Sequence, residues 1–241
     1  MLACRTLTGR RQHRFWEPRL DPPALLADIS VVLVSPKRPV SIGTAARALS
    51  CFECQDLRLV QPRCDHLARG SRNSSKGAQY LLFRSRQFNS LEAALEDAAV
   101  SVAFTRWVAG RPGAFQSIVD LLAAPWLAAA LAQQQLPSTA AGLEPAGVHQ
   151  TADAQLLQPG RGRLVLVFGR EERGFDPGEL DHCDFTCSIP IGRLQESLSL
   201  SHAVSIVLSQ LFQLRQRESG RSLPASMADL AGGYKDQGLE H

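Results

Sequence analysis

The sequence predicts an α/β fold built on a mostly parallel sheet with helices on both faces. Three observations carry this. Continuous apolar, β-branched runs stand at 29–34 (ISVVLV) and 164–168 (LVLVF), the pattern of strands buried on both faces. Segments with helical apolar spacing alternate with such runs along the chain. The 44% of hydrophobic residues suffices for a core, yet no run approaches the roughly eighteen apolar residues of a membrane span.

The elements follow in order. Residues 1–28 read as a basic tail closed by Pro22 and Pro23. Strand 29–34 leads through the loop SPKRPV into a helix over 42–51, where small and apolar residues recur at helical spacing. A second buried strand is expected at 57–60, then a polar stretch at 69–76 (RGSRNSSK) and a short strand near 80–83. Leu91 and Leu95, four apart, predict a helix over 90–98, followed by a strand at 100–105. After Trp107 comes a loop with Gly110, Arg111, Pro112 and Gly113. The segment 123–162 is rich in Ala, Gln, Pro and Gly; its first part finishes a helix, and about 130–162 reads as a low-complexity insertion with little apolar surface. Strand 164–168 runs straight into Gly169. Asp176 is a plausible N-cap with Pro177 at the first helical position. A final strand at 185–189 precedes a long helix over 197–216, with Leu200, Val204, Val207, Leu208 and Leu211 on one face. The domain therefore spans 29–217, and 218–241 is a polar tail.

Net charge is +3, which permits a polyanionic partner without demanding one. Of the 26 basic residues, all but Lys37, Lys76 and Lys235 are arginine. Arginine forks onto phosphates and stacks on bases, though the composition bias of an alanine-rich chain gives the same excess. Six cysteines include the CxxC of Cys51 and Cys54, but no second pair stands at metal-site spacing, so scattered free thiols are expected and no metal. Arg5, Arg10, Arg11 and Arg14 precede the first acid, Glu17. An Arg-rich, acid-poor start reads either as a mitochondrial or chloroplast transit segment or as a basic arm on a cytoplasmic protein.

Ligands in such sheets gather at the carboxyl ends of the strands. Three polar, Gly-containing loops lie there: one leading to Ser41, Gly43 and Arg47; one running from Gly169 through Glu171 to Gly174; and one over 190–199. No GxxxxGK[ST] loop and no GxGxxG follows a strand, which lowers nucleotide hydrolysis and dinucleotide binding in rank. Glycine at 169 lets a ligand or another backbone approach closely. Glu171 either holds a loop by accepting backbone N–H bonds or orients a substrate. Arg47, on a small apolar helix, either pairs with a carboxylate or waits for a phosphate.

Taken together, VLVSPKRPVSIGTAARAL (32–49), LVFGREERGFDPGEL (166–180) and IPIGRLQESLSLSHA (189–203) resemble the three ordered motifs of the SpoU/TrmH family of SPOUT RNA methyltransferases. The first is similar to a strand–NxGxxxR–helix segment, the second to FGxExxGL, the third to IP…SLNxSxA. AFTRWVAGR (103–111) resembles the middle segment of the branch that modifies the tRNA anticodon loop. The resemblance implies a C-terminal trefoil knot, a homodimer with its active site near the interface, S-adenosylmethionine as cofactor, and tRNA or rRNA as partner. By motif position it implies that Thr105, Phe168, Gly169, Glu171, Ile189, Ser197 and Leu198 line the cofactor pocket. It implies that Arg47, Glu171, Ser41 and Ser199 belong to the catalytic set, with Arg47 binding a phosphate and stabilising a developing alkoxide, because a guanidinium is too weak an acid to serve as a base. The implied reaction is ribose 2′-O-methylation of RNA.

Two departures accompany the resemblance. Ser41 and Ser199 stand where the family carries asparagines, and a serine lacks the paired donor and acceptor of an amide. They motivate an alternative, a non-catalytic RNA-binding or assembly protein on the same scaffold. Glu53 stands where a glycine is common. A more remote reading is a redox enzyme using Cys51 and Cys54.

Overall fold

The computed structural model describes residues 23–125, 127, 163–176 and 178–220. Most of the N-terminal tail, the expected insertion and the C-terminal tail from 221 lie outside the described residues, as do Cys4 and Pro177.

Seven parallel strands form one sheet. They are β1 (Leu26–Val34), β2 (Cys54–Val60), β3 (Arg86–Phe88), β4 (Ala98–Phe104), β5 (Ala114–Phe115), β6 (Arg163–Phe168) and β7 (Phe185–Cys187). Their order is β3-β2-β1-β6-β4-β7-β5. The chain moves outward from β1 to β3, restarts at β4, and returns at β6 to fill the gap between β1 and β4. Side-chain alternation explains the unbroken apolar runs. Val31 and Leu33 of β1, with Leu164, Leu166 and Phe168 of β6, enter one core. Val32 and Val34, with Val165 and Val167, enter the other. The first core is closed by α1 (Pro39–Cys51), α3 (Gln79–Arg84), α5 (Ile118–Ala123) and α6 (Leu200–Ser219); the second is closed by α4 (Leu91–Ala94) and the turn around Leu180.

Several elements differ from expectation, each for a local reason. The polar stretch at 69–76 contains a helix, α2 (Arg69–Ser75). Its serines are not loop formers here. Ser71 Oγ donates to the Pro39 carbonyl at 2.8 Å and Ser74 Oγ to Val40 at 3.2 Å, docking α2 on the start of α1. A Cβ on Gly43 would meet Ser71 O at 2.2 Å, so that close approach needs glycine. The expected strand at 80–83 is instead α3; four apolar residues cannot show a period, and Tyr80, Leu81 and Leu82 are buried. The edge strand β3 follows it. The helix expected over 90–98 ends at Ala94, after Ser90 caps it by accepting from Ala93 N. β5 falls in what reads as loop. The turn after Asp176 is a 3₁₀ segment at Glu179–His182 capped by Gly178 at φ 88°, and Asp176 pairs with Arg170 and Arg173 rather than capping. Glu53 takes a left-handed φ of 56°, and its carboxylate accepts from Leu25 N at 2.8 Å. Its effect therefore reaches beyond that turn, to the entry of β1.

Cys51, Cys54, Cys64, Cys183 and Cys187 are free thiols. Burial pushes the Cys54 thiol up to about 12, and its Sγ donates to the Ile29 carbonyl. A thiol so held cannot supply the thiolate that redox chemistry needs. Among the described residues no group of acids, histidines or cysteines is placed to hold a metal, and no helix is long and apolar enough to cross a membrane.

Candidate active site

The carboxyl ends of β4 and β6 lie side by side, with Phe104 paired to Phe168. Their rings stack at 5.0 Å and 11°. That pair forms part of the wall of a cavity of about 350 Å³, within the size range of small-molecule and cofactor sites. Every residue expected at the cofactor pocket lines it: Thr105, Phe168, Gly169, Glu171, Ile189, Ser197 and Leu198. They come from three loops spread along the chain from Thr105 to Leu198, brought together because parallel strands deliver all their carboxyl ends to one edge.

The loop after β6 is built to hold its shape. Arg170 and Gly174 exchange two backbone hydrogen bonds, at 2.9 and 3.1 Å. A Cβ on Gly169 would lie 2.6 Å from the Gly174 carbonyl carbon, so the closure requires glycine at 169. Arg170, nearly buried, forks onto Glu179 at 2.7 and 2.8 Å and reaches Asp176 at 2.9 Å. Burial, the largest single influence, pushes the Glu179 carboxyl up, but the hydrogen bonds from Arg170 and the Asp176 backbone, with the charges of Arg170 and Arg173, together leave it below its ordinary value. Glu179 Oε2 also accepts from Asp176 N at 2.6 Å.

Glu171 does both things open to it. It lines the cavity, and its two oxygens accept the backbone N–H groups of Lys37 and Arg38, each at 3.2 Å. These are the residues just before α1, so Glu171 ties the cleft loop to the helix that carries Arg47. Glu172 reinforces the tie through Lys37 Nζ at 2.6 Å.

The expected catalytic residues are not all brought together. Arg47 is exposed on α1 and does not line the cavity. Ser41 sits in the first turn of α1, also outside it. Ser199 is the N-cap of α6: its Oγ accepts from His202 N at 3.3 Å and lies 2.9 Å from His202 Nδ1. The hydroxyl therefore has a structural role, one that an asparagine also fills. Ser199→Ala is expected to destabilise the fold by about 1 kcal/mol, read as a melting temperature lower by about 2–4 °C.

Sequence reasoning missed the rim. Arg106 lies over the Trp107 ring at 4.4 Å and donates to the Glu196 carbonyl at 2.9 Å, joining the β4 loop to the loop before α6. Trp107 is 68% exposed. Their place directly after a strand was the available signal. The Arg170 clamp had none, because its partners are fixed only by the fold.

The cavity fits S-adenosylmethionine in size and lining. Its walls combine apolar surface from Phe168, Ile189 and Leu198 with hydroxyls from Thr105 and Ser197, and its charged residues are Glu171, Glu172 and Glu196 beside Arg106, Arg170 and Arg173. An adenine, a ribose and a cationic sulfonium with its amino-acid chain ask for that mixture.

A family model described as the SpoU rRNA Methylase family matches residues 28–209. The chain is 25% identical over 189 residues to the tRNA (cytidine-2′-O-)-methyltransferase TrmJ of Methanocaldococcus jannaschii, covering 78% of this chain and 69% of that one. It is 32% identical over 187 residues to the tRNA (cytidine/uridine/adenosine-2′-O-)-methyltransferase TrmJ of Pseudomonas aeruginosa, covering 76% of this chain and 60% of that one. The SpoU methyltransferase AviRb of Streptomyces viridochromogenes, solved in complex with the cofactor AdoMet, superposes with a TM-score of 0.53 at 18% identity, over 82% of this chain and 64% of that one.

Proposed function

Since this chain belongs to the SpoU rRNA methylase family, we propose that it transfers a methyl group from S-adenosylmethionine to a ribose 2′-hydroxyl of RNA, with tRNA as the substrate class that the TrmJ relatives favour. The observation that carries the reading is the single cavity at the ends of β4 and β6, lined by all seven residues expected to hold the cofactor.

When bound, the cofactor supplies a methyl made electrophilic by its sulfonium. The chain's own residues do the rest. Ile189 and Leu198 offer apolar surface to a base, and Thr105 and Ser197 offer hydroxyls. Glu171 presents negative charge toward the cationic part of the ligand while fixing the start of α1. Arg47 binds a phosphate beside the target ribose and stabilises the negative charge that develops on the ribose oxygen as it takes the methyl and gives up its proton to water. Ser199 caps α6, and Ser41 stands in the first turn of α1. No observation favours the non-catalytic alternative.

The reading includes a homodimer and a trefoil knot. The dimer reading is supported by Arg47, whose exposed side chain stands outside its own chain's cavity wall and so is open to a site completed by a second copy. The knot is supported by β6 lying between β1 and β4 while α6, reached from β7, returns to pack on α1.

The test is calorimetry with S-adenosylmethionine and its demethylated product. The wild-type protein is expected to bind both. Ser197→Trp, which places a large ring in an exposed stretch of the cavity wall, is expected to weaken binding at least about tenfold, or roughly 1.4 kcal/mol, with little change in melting temperature. Absence of binding by the wild type overturns the reading.

A further inference from the structure

Residues 61–84 carry Arg63, Arg69, Arg72, Lys76 and Arg84 against one acid, Asp65. The overall charge of +3 hides this local excess. The structure shows where it goes. Arg69 and Arg72, at i and i+3, share one side of α2, Lys76 caps its C-terminal end, and all three are exposed. The opposite side of α2 is held on α1 by Ser71 and Ser74. The three cations therefore stand on a docked element rather than a free loop.

None of the side chains of Arg38, Arg63, Arg69, Arg72 and Lys76 makes a hydrogen bond or ion pair among the described residues. Elsewhere Arg58, Arg86, Arg106, Arg111, Arg170, Arg173 and Arg215 have carboxylate partners, while Arg47 on α1 also has none among the described residues. Arg63 and Arg38 stand on the cleft side of this group, where both also act at longer range on Glu172. Arg63 N donates to the Pro36 carbonyl at 2.9 Å, setting it beside Lys37 and Arg38. Arg63 and Lys37 line a small second cavity together with Arg170, Glu171, Glu172 and Arg173, the loop that lines the main cavity.

We propose that the outer face of α2, continued by Arg63 and Arg38, is a docking surface for the RNA phosphate backbone, leading it to the cleft. This rests on the reading of the protein as an RNA methyltransferase. Unpaired arginines and a lysine on one rigid face match a regularly charged polyanion. Each phosphate they neutralise releases condensed counterions, so affinity falls with salt in proportion to the number of contacts. The span from Arg69 to Lys76 is about 10 Å at helical rise, enough for more than one phosphate of a strand. The surface carries no base-reading geometry, so it contributes affinity and register, not sequence choice.

The test compares wild type with R69Q/R72Q/K76Q and with the charge-preserving R69K/R72K/K76R, using bulk tRNA as probe over a range of salt concentrations. The neutral triple variant is expected to bind tRNA roughly 10–100-fold more weakly near 0.1 M salt, with the slope of log K against log salt reduced by about two to three. The charge-preserving variant is expected to keep the wild-type slope. Cofactor binding by calorimetry and melting temperature are expected to match wild type in both. An unchanged slope in the neutral variant overturns the docking surface. A slope lost equally in the charge-preserving variant does so too, because the residues then act through structure and not charge. If the wild type binds neither tRNA nor cofactor, the underlying reading fails along with the surface; if it methylates tRNA while the neutral variant binds as well as it does, the surface alone fails.

Discussion

Replacing Arg47 with alanine is expected to lower methyl transfer to RNA by roughly 10²–10³-fold, the usual cost of removing one donor aimed at a developing oxyanion. The same variant is expected to bind S-adenosylmethionine as wild type does, because Arg47 is not part of the cavity wall. Stability is expected to hold as well. Arg47 is exposed and its side chain makes no hydrogen bond or ion pair among the described residues, and exposed charges contribute little to folding. Activity lost together with stability would point to a structural arginine instead. Arg47→Lys separates charge from fork: a lysine keeps the positive charge but not the planar bidentate geometry, so partial recovery is expected. The proposed dimer adds a sharper readout. Arg47→Ala is expected to be strongly impaired alone, and Ser197→Trp to be impaired alone at a cofactor concentration below its raised dissociation constant. Mixed and allowed to exchange subunits, they regenerate one site in which an intact cavity meets an intact Arg47, and activity returns. No recovery on mixing would place Arg47 in its own chain's site.

The largest effect on stability is expected at Arg58, in the middle of β2 and only 1% exposed. Its guanidinium donates to Asp56, Asp97, Ser30 Oγ and the Ala94 carbonyl. Ser30 Oγ in turn donates to Asp56 Oδ2 at 2.6 Å. The network joins β1, β2 and the approach to β4 at the end of the sheet opposite the cavity. Arg58→Met removes the central charge and strands Asp56, which is 16% exposed. Breaking a buried pair on one side costs about 3–5 kcal/mol. The lower figure applies here, because Asp97 is half exposed and Arg86 still reaches Asp56 at 2.8 Å. A loss of about 3 kcal/mol corresponds to a melting temperature lower by roughly 6–12 °C.

The pH dependence follows from the same groups. Burial, the largest single influence, pushes Asp56 and Asp97 up, but the hydrogen bonds and positive charge of Arg58 and Arg86, with Ser30 at Asp56 and Arg163 at Asp97, together outweigh it and hold both carboxyls below the usual aspartate value. A carboxyl lowered on folding stabilises the native state above its unfolded pKa, about 4, and that contribution is lost as pH falls through the lowered folded value. The gap between wild type and Arg58→Met is therefore expected to be full at neutral pH and to narrow on acidification below about pH 4. Thermal melts at several pH values check this. A gap independent of pH would mean that Arg58 acts through packing alone.

What was legible in the sequence divides along a physical line. β1 and β6 could be read because both faces of each are buried, so their runs are unbroken. The helix carrying Arg47 and the helix after Ser199 could be read from apolar spacing. α2 could not, because its buried serines bond to carbonyls of a helix thirty residues away, and polarity alone looks like a loop. α3 could not, because an apolar run of four fits a strand as well as a helix turn. The site shows the same division. The residues that line the cavity follow strand ends, where ligands are expected in any parallel sheet, and motif resemblance named them. The link from Glu171 to the N–H groups of Lys37 and Arg38 spans 134 and 133 residues and exists only once the sheet has formed. Arg58 carried a clue that went unused, since an arginine inside a buried strand must bring its own partners.

The most direct measurement is mass spectrometry of the nucleosides recovered from tRNA and rRNA after incubation with the purified protein and S-adenosylmethionine carrying a deuterated methyl. The account predicts the label on the ribose of a 2′-O-methylnucleoside, dependent on Arg47. Label on a base, or none in any RNA despite cofactor binding, would contradict it.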